Sequence, residues 1–245
     1  MLDYQKQVFK TLADIMASAS LTPSLQCGEF CWWYFTNWSE SNPDGGMGYY
    51  DDETKAAALA ALGRALRVFT APHDDPGVNS SQDAEFLRGR LRDYVAALTT
   101  HVRGFHAAAA FEVLFPYDVN YPAPAGVHLI GGRLNRFVNL PVEWEQKSTS
   151  GLDGLKIEAL DFGAWSRDLN LTRAAVLFGV GLDWPKDSLR HMLPVFQPGY
   201  PWESECSAAL GEGVAAANLW AFDHVCLFGT RTPPVLEHSS ARRQG

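Results

Sequence analysis

Gln26-Cys27-Gly28-Glu29-Phe30-Cys31-Trp32-Trp33-Tyr34-Phe35 is an apolar, aromatic-rich run that carries a single carboxylate. Its β-forming side chains predict a buried strand over about 26–35 whose end opens onto an aromatic floor. Glu29 is the residue this reading has to place. Beside two tryptophans and a tyrosine its pKa is expected to rise by desolvation, and flat apolar faces of that kind stack on sugar rings. A buried glutamate satisfied by an arginine or by backbone groups fits the same residues equally well.

Outward from this run the chain alternates. Residues 3–19 have helical spacing (Leu2, Val8, Phe9, Leu12, Ile15, Met16), broken by Thr22-Pro23. Asp51 or Asp52 can cap a helix over Thr54–Leu62, which Gly63 ends. A short extended piece is expected at Leu66–Thr70. Gln82–Arg103 is a strong helix, with Phe86, Leu87, Leu91, Tyr94, Val95, Leu98 and Val102 on one face. Strands are expected at about 110–116, 154–160, 191–196 and 215–222, with helices over Ala164–Phe178 and Trp202–Leu210 between the later ones. Strands separated by helices of about 10 to 20 residues indicate βαβ units on a parallel sheet with right-handed crossovers.

The 245 residues are 47% hydrophobic and 20% charged, which suits one substantial core in an α/β domain. A formal net charge of −8 speaks against nucleic acid, whose binders present a basic stripe. No run reaches the roughly 18 apolar residues of a spanning helix. The N-terminus lacks a basic region followed by an apolar block, so no membrane partner and a cytoplasmic location with reduced thiols are expected. The N-x-S/T sequons at Asn37, Asn79 and Asn170 are then chance matches. Cys27 and Cys31 form a C-x3-C pair that matches no common zinc motif, and no metal is expected.

In parallel α/β folds the chemistry collects at strand C-termini. Here the strands run into Glu29 with Trp32 and Trp33, into Tyr117-Asp118-Val119-Asn120, through Glu158 toward Asp161, into Gln197, and into Trp220-Ala221-Phe222-Asp223-His224. This convergence fits a (β/α)8 site better than a dinucleotide fold, because neither G-x-G-x-x-G nor a Walker sequence occurs, and no cofactor is called for. Each residue also has a plainer reading. Trp32, Trp33 and Trp220 serve as core or lid aromatics at least as readily as sugar platforms. Asp118-x-Asn120 suits a hydroxyl or cation ligand, but Asx residues commonly cap turns. Glu158 and Lys156 share a strand face and suit a structural pair inside the barrel. His224 beside Asp223 lacks a serine in a nucleophile elbow.

The segments GEFCWWYF (28–35), GMGYYDDETKAAALAALGR (46–64), FEVLFPYDVN (111–120), LNRFVN (134–139), LKIEALDFG (155–163) with RDL (167–169), PW-x-SE (201–205) and NLWAFDHVCLFG (218–229) together resemble a glycoside-hydrolase-like (β/α)8 domain. It is the type found as the TIM-barrel domain of non-contractile phage tail-sheath proteins and related bacterial proteins. The resemblance covers residues 1–230, leaving 231–245 as a disordered tail. It implies that the five strands correspond to barrel strands four to eight of an N-terminally truncated barrel, whose open sheet edges invite self-association.

The resemblance also assigns roles. Retaining barrels of this kind place the acid/base glutamate after strand four, which Glu29 matches. Their nucleophile ends strand seven, where Gln197 stands, and an amide cannot form the glycosyl ester. Glu158, or Glu203 and Glu205, would have to substitute. Trp32, Trp33 and Trp220 would form the sugar floor, with Asp118, Asn120 and Asp223 as further substrate contacts. The expected function is a structural or carbohydrate-binding barrel with little or no turnover, cytoplasmic or in a virion tail. The alternative is a retaining glycosidase with Glu29 as acid/base.

Overall fold

The computed structural model describes residues 1–35, 46–49, 51–68, 80–120, 136–160, 169–194 and 201–220. Expectations for Asp161, Gln197, Asp223, His224 and the tail at 231–245 fall outside them. Five strands, β1 (Ser24–Cys27), β4 (Ala110–Pro116), β5 (Gly154–Glu158), β6 (Leu189–Pro194) and β7 (Ala216–Trp220), form one sheet in the order β1-β4-β5-β6-β7. Every neighbouring pair is parallel. The sheet curls into a half-barrel with helices on its outer face, of the (β/α)-barrel type. A separate antiparallel pair joins β2 (Tyr34–Phe35) to β3 (Gly46–Met47).

The helices that matter for the site are α1 (Leu2–Ser18), α2 (Asp52–Leu62), α3 (Ser81–Arg103), the single turns α4 (Tyr117–Asn120), α5 (Arg136–Asn139) and α6 (Lys147–Ser150), then α7 (Leu169–Gly181) and α8 (Trp202–Gly211). α2 begins where its sequence says it should. Asp51 accepts from Thr54 N at 2.8 Å, and Gly63 closes the helix at φ +70°, a backbone state that costs glycine least. α3 buries Leu87, Leu91, Val95, Leu98 and Val102 at helical spacing.

Side chains alternate across each strand, so the helix-facing core takes Leu25 and Cys27, Phe111, Val113 and Phe115, and Leu155 and Ile157. Phe9 of α1 stacks on Phe111 with ring centres 6.4 Å apart, and Phe115 meets Phe178 of α7 at 5.6 Å. The other face presents Gln26, Glu112, Lys156, Glu158 and Arg190 to the concave side. A second cluster of Tyr49, Ala58, Leu66, Ala84, Leu87 and Val138 lies between α2 and α3.

Two expectations are corrected. The first strand stops at Cys27 instead of running to residue 35, because Glu29 takes φ +53° and turns the chain out of the sheet. The Leu66–Thr70 piece is no strand over its described part, 66–68; Leu66 is instead buried in the second cluster, and the hydroxyl of Tyr49 donates to the Arg67 carbonyl at 2.8 Å.

Candidate functional site

Glu29 stands two residues beyond the C-terminal end of β1, on the floor-to-rim turn of a cleft of about 460 Å³. Phe30, Trp32, Leu91 and Tyr94 supply its apolar wall, and Arg90 and Glu53 lie at its edge. The volume falls in the roughly 300–1,000 Å³ range of small-ligand sites. Phe30 and Tyr94 pack with ring centres 5.3 Å apart. Glu29 itself is exposed, against the expectation of a buried carboxylate. The left-handed turn that ends β1 is also what lifts this side chain into solvent.

Trp32 reaches the cleft with both of its donors committed to the protein. Its indole Nε1 donates to the Leu87 carbonyl at 3.0 Å, and its backbone N donates to Asn139 Oδ1 at 2.6 Å. Its ring meets Tyr49 edge-on at 6.2 Å. Asn139 Nδ2 then donates to Asn120 Oδ1 at 3.1 Å, and Asn120 Nδ2 donates to the Pro116 carbonyl at 2.8 Å. Asn120 is thus a buried brace between the ends of β4 and α5 instead of an open substrate contact. Asp118 is buried in α4, where Oδ1 accepts from Val119 N at 3.0 Å, the local capping that Asx residues favour. Trp33 is half-buried, and its carbonyl accepts from Gly48 N at 2.6 Å.

Glu158 ends β5 on the concave side and is buried. Trp220 ends β7 with 41% of its surface exposed, an aromatic face at the half-barrel rim. Burial, the Glu29 charge and the Glu158 charge, in that order, push the Cys31 thiol far above the ordinary range. Cys27, buried in the core below, is pushed up to about 12 by burial alone.

Beneath the strand ends runs a charged layer that the sequence reading did not single out. Lys156 Nζ lies 2.6 Å from Glu112 Oε1 and donates to Gln26 Oε1 at 2.6 Å, while Arg190 Nη1 sits 3.1 Å from Glu112 Oε2. Lys156 therefore has a carboxylate partner on β4, Glu112, where the sequence suggested its same-strand neighbour Glu158. The signal was present as a glutamate between Phe111 and Val113, since strict alternation turns it to the face opposite the helices. Among the described residues, no group of three or more His, Cys, Asp or Glu is arranged to hold a metal ion. No helix among them is long and apolar enough to cross a membrane.

No family model matches the chain. No curated protein matches it. Two solved structures share its fold. The catalytic domain of β-amylase from Paenibacillus polymyxa superposes with a TM-score of 0.55 at 12% identity, covering 95% of this chain and 65% of that one. The glycoside hydrolase domain of PgaB (BpsB) from Bordetella bronchiseptica gives 0.56 at 12% identity, covering 92% and 58%. The chain thus spans about three fifths of the length of the domains it matches. What this likeness shows is the fold, a (β/α)-barrel type.

Proposed function

We propose that this half-barrel binds carbohydrate at the C-terminal end of β1 and does not turn it over. The observation that carries the reading is the cleft in which Glu29 stands beside Phe30, Trp32 and Tyr94. Aromatic faces take the apolar side of a sugar ring, while a carboxylate and a guanidinium such as Arg90 bind its hydroxyls. That both structural neighbours bear glycoside hydrolase or amylase names supports carbohydrate as the ligand class. The absence of turnover rests on the nucleophile position. Gln197 stands where a retaining barrel carries its nucleophile, and an amide cannot form the glycosyl ester. A purely structural barrel, as the tail-sheath resemblance implies, would leave the same cleft empty of sugar.

The second reading is the retaining glycosidase with Glu29 as acid/base and Glu158 as the second carboxylate, since Glu29 follows the C-terminal end of β1 and Glu158 ends β5. One experiment separates the readings. Oligosaccharides from α- and β-glucans are titrated against intrinsic tryptophan fluorescence, and aryl-glycosides are assayed in parallel. Saturable binding that Phe30→Ala abolishes, without aryl-glycoside release, is the expected result. Absence of binding to every oligosaccharide sinks the proposal, and hydrolysis that Glu29→Gln removes replaces it with the glycosidase.

A further inference from the structure

Trp32 has left the sheet, yet its backbone is held. Glu29 at φ +53° ends β1, and Cys31 N donates back to the Glu29 carbonyl at 2.8 Å. Strand pairing resumes only at β2, where Gly48 N donates to the Trp33 carbonyl just before it. Between these two points the backbone of Trp32 has one partner among the described residues, the side-chain amide of Asn139. Its Oδ1 accepts from Trp32 N at 2.6 Å, and its Nδ2 donates to the Trp32 carbonyl at 3.5 Å. A carboxamide offers the donor and acceptor of a peptide group, so Asn139 takes the place of the neighbouring strand that this segment lacks.

Which way that amide points is decided one link further on. Asn120 Nδ2 donates to the Pro116 carbonyl, so Asn120 Oδ1 faces Asn139 and accepts its Nδ2. Asn139 Oδ1 is thereby turned to Trp32 N. Asn139 is 1% exposed and Asn120 4%, and a buried relay satisfied at every link holds one geometry, because a broken link strands a desolvated group. On its other side Trp32 gives Nε1 to the Leu87 carbonyl and meets the Tyr49 ring. We propose that Asn139, aimed by Asn120, is the positioning residue of the cleft: it sets where the Trp32 ring stands beside Phe30 and Tyr94, and so how tightly a sugar stacks there. This rests on the carbohydrate reading for its ligand, whereas the placement of Trp32 belongs to the free chain. Binding groups serve only when held to within roughly 0.5 Å by the side chains behind them.

Fluorine NMR on the full chain labelled with fluorotryptophan tests this, the Trp32 signal being assigned by its loss in Trp32→Phe. In Asn139→Ala the Trp32 signal should move or broaden. Those of Trp144 and Trp184, joined in the main core by the bond from Trp184 Nε1 to the Trp144 carbonyl, should stay in place. Affinity for maltohexaose or cellohexaose, whichever binds wild type, should fall about tenfold. Asn120→Ala keeps the acceptor for Trp32 N and loses only its aim, so both effects should recur at smaller size. An unmoved Trp32 signal in Asn139→Ala overturns the proposal, as does a moved signal with unchanged affinity. A shift shared by Trp144 and Trp184 overturns it too, since Asn139 would then support the core at large. If neither sugar binds wild type, the carbohydrate reading falls, and the Trp32 signal alone decides whether Asn139 places the ring. Should Asn139→Ala unfold, Asn120→Ala decides by the same readouts.

Discussion

Lys156 on β5 and Glu112 on β4 form an ion pair of 2.6 Å on the concave face, with the lysine side chain 8% and the glutamate 13% exposed. Arg190 closes on the other oxygen of Glu112, so one carboxylate holds two cations contributed by two further strands. A cation left unpaired at such a site keeps its desolvation cost without the Coulombic return. Glu112→Gln is therefore expected to lower unfolding free energy by about 3 kcal/mol. Lys156→Met should cost less, since Glu112 retains Arg190, and the double replacement Glu112→Met/Lys156→Met should recover part of the loss. Urea unfolding of the three variants checks the order; a neutral Glu112→Gln would mean that the layer is hydrated.

The local signals in this chain were legible where they are purely local. The Asp51 cap, the Gly63 stop, the α3 stripe and the five parallel strands follow from residue type and period, and the structure keeps all of them. The end of β1 was not legible, because a run of Phe, Cys and Trp reads as strand whatever sign φ takes at Glu29. Gly28 before it was the one hint of a turn. Trp32 shows a second limit. Its donors go to Leu87 and Asn139, 55 and 107 residues away, and nothing in the aromatic run distinguishes a wedge bonded at both donors from a sugar platform.

Glu205 of α8 accepts from or shares a proton with His191 of β6 at 2.6 Å, both fully buried. Burial raises the Glu205 pKa above its ordinary 4.5, and His191 pulls it partway back. A carboxyl whose folded pKa is raised contributes stability that is complete below its unfolded value and is lost as pH climbs through the folded one. Wild type is therefore expected to gain on Glu205→Gln as pH falls from 7 toward 4. Paired denaturation curves across that range measure the difference, and a flat difference would show that the pair titrates alike in both states.

Two helical glycines should respond oppositely to alanine. At Gly89 in α3 a Cβ meets nothing closer than Arg92 Nη2 at 3.8 Å, so Gly89→Ala should stabilise by about 0.5–1 kcal/mol through helix propensity. At Gly179 in α7 a Cβ would lie 2.9 Å from Ile157 Cγ1, a core atom of β5 that cannot swing away. Overpacking of that kind costs about 1–3 kcal/mol and outweighs the propensity gain, so Gly179→Ala should destabilise. Thermal melts read both signs, and a stabilised Gly179→Ala would place α7 farther from β5.

The thiols report on the cleft independently of any ligand. Reaction with iodoacetamide needs the thiolate, and each unit of pKa elevation removes about tenfold of it. Cys27, pushed up to about 12 by burial, and Cys31, also pushed up, should both alkylate far more slowly at pH 8 in the native chain than in urea, as followed by site-resolved mass spectrometry. Only Cys31 feels the two carboxylates. Glu29→Gln should accelerate its modification, Glu158→Gln should do so to a smaller extent, and neither should change Cys27. Glu85→Gln, on the exposed face of α3, serves as the control for altered net charge. Unequal acceleration in that order would mean that the turn after β1 and the end of β5 open onto one electrostatic environment, the arrangement that any sugar site built from both strands requires. If Cys31 responds to Glu29 alone, Glu158 belongs to the concave charged layer with Lys156 and Glu112, and the cleft must bind its ligand without it.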